Sequence, residues 1–208
     1  GTNDTGKLDD LDALTLSGGT LELSGGTQIE SVGSTTLGAN TSNKVIRTNG
    51  ATGTLEMNVI TAGNGAMVNF GGNNIATTDN TNINGILGPW ATVTNGGVTD
   101  WAVNATDTWD GLITAYTGYT DIARLADGTP LGIVPNTPAA NIRIIDGGGT
   151  TGDITLATAA TRINTLKMAA TGGPAIITLA GRTLSIGGDT GGAVLMDGSA
   201  GALTIGSV

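Results

Sequence analysis

The alternating runs in this chain are short, and almost every one closes on glycine or asparagine. The stretch LTLSGGTLELSGG, residues 14–26, shows the unit twice. Leu14 and Leu16, then Leu21 and Leu23, share one face, while Thr15 and Glu22 take the other. The pattern returns in GTLEMNV (53–59), MVNF (67–70) and NIRIID (141–146), and again in DITLA, RINTLKM, AIITLAG, RTLSIGG, AVLMDG and ALTIGS. Towards the C-terminal end successive runs start about nine or ten residues apart, a regular short-strand spacing. Three such strands to a rung, at ~20–25 residues per rung, describe an all-β parallel β-solenoid of roughly eight rungs. In that fold the rungs stack through backbone hydrogen bonds. Leu, Ile and Val fill a narrow core, and Gly or Asn takes the corners that need positive φ.

An antiparallel β-sandwich is the alternative, because Asn-Gly pairs at Asn49, Asn64, Asn84 and Asn95 favour tight hairpins. The near absence of aromatic core residues weighs against it. One helical candidate exists, DIARLADG (121–128), with Asp121 as N-cap and Gly128 as stop. The expected organisation is a single solenoid domain, 1–208, with a non-repeat excursion over residues 84–137.

Composition narrows the function. Glycine supplies 36 of 208 residues, but with five prolines and no Gly-X-Y period the chain is not collagen. Hydrophobic residues make up 38%, enough for a core, so the low charge does not signal disorder. The net charge is −9 and the eight Lys and Arg are scattered. No basic patch offers itself to nucleic acid or to an anionic membrane surface. The chain has no His and no Cys, which removes imidazole and thiolate metal sites, His-based triads and thiol catalysis. No apolar run approaches the ~20 residues of a membrane span. The sequence starts at Gly1 without Met, so a processed product or a segment of a longer chain is expected.

Five of the six aromatic residues fall between residues 84 and 119: Trp90, Trp101, Trp109, Tyr116 and Tyr119. They are the candidate contact surface. Trp and Tyr combine a large apolar face with a polar tip, which suits a sugar or a protein partner. A structural role competes: an excursion from the repeat cannot share the stacked core and needs large anchors of its own. The structural reading is preferred here, with a face presented to a neighbouring subunit as a combined version.

Asp100, Asp107, Asp110 and Asp121 lie near these aromatics and are the carboxylates that a polysaccharide-active enzyme would use. Their ordinary role is in turns and caps, and no catalytic residue is assigned. Asp9, Asp10 and Asp12 in KLDDLD are calcium candidates, carboxylates being the ligands that a hard cation takes; no other cofactor is expected. DGGGTTGD (146–153) lacks the Lys of a P-loop, and GGDTGGAVLMDG (187–198) misplaces the Gly and Asp of a calcium-binding nonapeptide.

The run RINTLKMAATGGPAIITLAGRTLSIGGDTGGAVLMDGSAGALTIGS, residues 162–207, resembles the autotransporter-associated β-strand repeat of very long surface proteins from planctomycetes and related bacteria. The NGILGPWATV…TDWAVN…ITAYTGYT block, residues 84–120, is similar to an element that recurs beside those repeats. The resemblance covers most of the sequence. It implies a right-handed β-helical passenger at the bacterial cell surface, serving as a stalk, fibre or adhesin. The family's commonest repeat ends in an NTYTGG-like motif, which this chain lacks. The expected function is thus a structural extracellular or cell-surface solenoid that self-assembles or stacks on neighbouring segments. An adhesin or carbohydrate-binding passenger for extracellular polysaccharide is the alternative, and a polysaccharide-active enzyme ranks third.

Overall fold

The computed structural model describes residues 8–27, 29–124, 132–147, 153–187 and 191–206. All regular structure among them is strand. The strands stack in parallel as a β-solenoid of about seven rungs, against the roughly eight that spacing predicts. The chain divides into two compact units, Gly1–Tyr116 and Thr117–Val208, where the sequence reading has a single domain.

In the first unit three rungs of three strands follow one another. They are β1 (Ala13–Leu16), β2 (Gly19–Ser24) and β3 (Ile29–Ser31); β4 (Ser34–Leu37), β5 (Ser42–Thr48) and β6 (Thr54–Glu56); and β7 (Ile60–Ala62), β8 (Met67–Phe70) and β9 (Ala76–Thr78). Each strand pairs in parallel with its counterpart one rung on, giving faces β1-β4-β7, β2-β5-β8 and β3-β6-β9. The core is built by register. Leu21 lies beside Val45, and Val45 beside Phe70, so one inward column runs through three rungs. Val45 and Phe70 are fully buried. A side chain excluded from water in such a column stabilises by roughly 1.5–3 kcal/mol.

Corners leave backbone groups that no strand satisfies, and polar side chains pair with them. Asn43 donates to Met67 O at 3.0 Å and accepts from Gly18 N at 2.8 Å. Asn58 donates to Val32 O at 2.6 Å, and Arg47 Nε to Gly53 O at 2.7 Å.

The repeat breaks after β9. Strands β10 (Ala91–Asn95), β11 (Val98–Asn104) and β12 (Gly111–Ala115) form an antiparallel meander. Its first strand lies parallel on β8 and its last antiparallel on β9. Two faces of the solenoid thereby join into one nine-stranded sheet. Among the described residues, antiparallel pairing, the basis of the sandwich alternative, is confined to this region. Gly96 and Gly97, at φ 59° and 85°, make the two-residue turn between β10 and β11, and Asn84-Gly85 makes another between the bridged Ile83 and Ile86.

The second unit resumes parallel stacking. Its strands are β13 (Thr120–Arg124) and β14 (Gly132–Val134); β15 (Asn141–Asp146), β16 (Asp153–Leu156) and β17 (Ala160–Ile163); β18 (Thr165–Met168), β19 (Ala175–Thr178) and β20 (Thr183–Ile186); and β21 (Val194–Met196) and β22 (Leu203–Gly206). Ile122, Ile144, Met168 and Met196 form one column across four rungs.

The brief helix that residues 121–128 could at most offer is not formed where the structure describes them, since Asp121 to Arg124 belong to β13. Ile122 gains more by stacking on Ile144 than a two-turn helix offers, so tertiary pairing overrides local propensity. Residues 125–128 lie outside the described residues, as do the centre of DGGGTTGD and residues 188–190 of the glycine-rich run near the C-terminal end. Parallel stacking resumes at Thr120, with β13 on β15 and β14 on β16.

Candidate functional site

The meander holds Trp101 and Trp109 and is flanked by Trp90 and Tyr116, and it closes the edge of the third rung of the first unit. Each face of that rung has its own closure. The edge of β8 pairs with β10 and the edge of β9 with β12. For β7, one side-chain amide replaces a strand: Asn80 Oδ1 accepts from Ile60 N at 2.6 Å, and Asn80 Nδ2 donates to Ile60 O at 3.0 Å.

Asn104, at the end of β11 and 1% exposed, holds the closure together. Its Nδ2 donates to Thr78 O at 3.2 Å, Asn80 O at 3.0 Å and Thr108 O at 2.7 Å. Its Oδ1 accepts from Thr106 N at 3.1 Å and Asp107 N at 2.9 Å. Its backbone exchanges two bonds with the side chain of Asn82, at 2.9 and 2.8 Å. Gly111 faces this amide so closely that a Cβ there would land on Asn104 Oδ1, so a side chain is impossible without displacing the amide.

The five aromatics do not form one platform. Trp101 on β11 is 1% exposed, and its carbonyl accepts from Tyr116 N at 2.8 Å. Trp90 is half-buried against the core, with its indole over Gly88. Tyr116 is half-buried with its ring over Gly85. Tyr119 belongs to the second unit, under the Arg143 guanidinium at 4.9 Å and the Lys167 ammonium at 5.7 Å from the ring centroid. Trp109 differs from all of these: it sits in the turn between β11 and β12 and is 81% exposed.

The acidic candidates are likewise dispersed. Asp100 lies on β11, and Asp107 and Asp110 occupy left-handed turn positions at φ 55° and 53°. Asp107 Oδ1 accepts from Asn82 N at 2.5 Å. Asp121 is in the second unit and chelates Arg143 at 2.8 and 2.9 Å. Near the start, Asp9 Oδ1 accepts from Leu11 N at 3.0 Å, a turn that leaves Asp9, Asp10 and Asp12 unconverged. Among the described residues, no three acidic side chains gather in a metal-ligand arrangement.

Sequence reasoning passes over a ladder of charge in the second unit. Asp121, Arg143 and Lys167 occupy one register position on β13, β15 and β18. Lys167, 1% exposed, reaches Asp197 Oδ2 at 3.6 Å. Two neighbouring cations, Arg143 and Lys167, thus share the Tyr119 ring and lie between two carboxylates, Asp121 and Asp197. The bidentate hydrogen bonds from Arg143 hold the Asp121 carboxyl below its ordinary value of 3.8. A second cluster lies at a corner. Asp146 accepts from Thr171 N at 2.8 Å and Gly172 N at 2.9 Å, and these bonds lower its pKa. Arg124, fully buried, spans the same corner, donating to Pro174 O at 2.7 Å and meeting Asp146 at 3.5 Å. Laying successive rungs beside one another in the sequence, 22 and then 24 residues apart, reveals the Asp121–Arg143–Lys167 series.

No family model, curated protein or solved structure matches this chain.

Proposed function

We propose that this protein is a structural extracellular or cell-surface solenoid, acting without catalysis as a stalk, fibre or surface-layer component. The observation that carries this reading is the rung-to-rung bonding. Backbone ladders, the Asn43 and Asn58 amides and the Arg47 bond to Asn74 O tie one rung to the next, and Arg124 reaches Asp146 one rung on and Pro174 O two rungs on. Such bonding resists extension and bending along the stack, which is what a spacer needs. The resemblance to autotransporter-associated repeats supports a surface location on a bacterium.

Negative-stain electron microscopy of material from the native source tests the assembly. Filaments or sheets with a regular axial repeat are the expected result. Isolated globular particles at all concentrations would remove the fibre and surface-layer readings.

A further inference from the structure

We propose that Trp109 is a stacking platform for a neutral polysaccharide. The argument starts from its presentation. Both neighbours of Trp109 are held by hydrogen bonds: Thr108 O accepts from Asn104 Nδ2 at 2.7 Å, and Asp110 N donates to Asp79 Oδ1 at 3.0 Å. The turn is tied again where Ala105 N donates to Leu112 O at 2.9 Å. A ligand meeting Trp109 therefore has little backbone to immobilise, which lowers the entropic cost of binding. The other two tryptophans are committed to packing, Trp101 fully and Trp90 in part, so the exposed indole on the same meander is not explained by the fold.

The surroundings choose the ligand. Thr106, Asp107, Thr108 and Asp110 flank Trp109 in sequence, and residues 105–110 are all exposed. One aromatic face among hydrogen-bonding groups fits a pyranose, whose C–H face stacks on indole while its hydroxyls reach the rim. An apolar protein hot spot would require a wider dry surround. Charge excludes an acidic glycan: Gly1–Tyr116 contains eleven Asp and Glu against Lys7, Lys44 and Arg47. The platform stands on an exposed turn, so it takes internal sugars of a long chain side-on. This inference does not depend on the structural reading above.

Affinity electrophoresis of the whole chain through gels containing laminarin, glucomannan or alginate tests it, with tryptophan fluorescence titration as the second readout. Laminarin or glucomannan should retard the protein and alginate should not. Trp109→Ala should weaken binding by about tenfold or more, Trp109→Phe should restore most of it, and neither should change the melting temperature. Equal retardation of Trp109→Ala, preference for alginate, or no retardation by either neutral polymer would overturn the proposal. So would a wild-type dimer in sedimentation that Trp109→Ala dissolves, since the indole would then be a self-contact.

Discussion

Asp146 and Asp121 show how single carboxylates fasten neighbouring rungs. Both are held below the ordinary carboxyl range, Asp146 by the Thr171 and Gly172 amides and Asp121 by Arg143. A carboxylate with a depressed folded pKa stabilises the native state fully above its unfolded value of 3.8, and that stabilisation disappears as pH falls through the lower folded value. The melting temperature should therefore drop as pH falls below the ordinary carboxyl value of 3.8. Asp146→Asn and Asp121→Asn should each be less stable at neutral pH and show a shallower drop on acidification. Melting curves at stepped pH decide this; a variant whose drop parallels the wild type would show that its carboxylate does not contribute. Both groups are exposed enough that salt weakens the effect.

At the level of elements, the inward columns set how much each strand contributes. Ile144 is fully buried in the middle of the Ile122–Ile144–Met168–Met196 column, with a neighbour on either side. Ile144→Ala should cost about 2–5 kcal/mol and Ile144→Val about 0.5–1.5 kcal/mol in denaturant unfolding. A loss under about 0.5 kcal/mol for the alanine variant would mean that the column closes around the gap. These columns are what the sequence displays best. Alternating Leu and Ile separated by glycine corners leaves little choice but stacked rungs. The meander is far less legible, and one comparison shows why. Asn49-Gly50 has φ values of 50° and 70°, and Asn84-Gly85 has 53° and 83°. The first is a solenoid corner and the second a hairpin. Local chemistry is the same in both; what differs is the strand that arrives next, and that is decided by distant pairing. The buried charges were hidden for a related reason. Lys167 reads as a solvated position until Tyr119 and Asp197, each many residues away, are placed around it.

On the scale of the whole molecule, stability in stacked repeats is close to a sum of rung and interface contributions, so damage stays near its source. Asn104→Ala removes the amide group that donates to Thr78 O, Asn80 O and Thr108 O and should open the end of the first unit without melting the second. Hydrogen exchange should accelerate around β9 and residues 79–82 while β15, β18 and β19 keep their protection. Acceleration spread evenly over both units would show instead that the chain unfolds as one cooperative block. The aromatic candidates divide along the same line. Trp101 and Trp90 serve the closing meander, Tyr119 serves the charge ladder, and Trp109 is left facing solvent.

The closing meander also makes length an adjustable quantity. From β3 through β5 the pairing to the next rung holds at an interval of 25 residues, as in Ile29 with Thr54, Thr35 with Ile60 and Val45 with Phe70, whereas β2 pairs with β5 at 24 and β6 with β9 at 21. β10, β12 and Asn80 engage only the third rung. A sequence that gained or lost one such 25-residue period would present the same edge to the same lid. The length of the first unit can thus change in steps of one strand spacing, roughly 4.8 Å, while its finished end stays as it is.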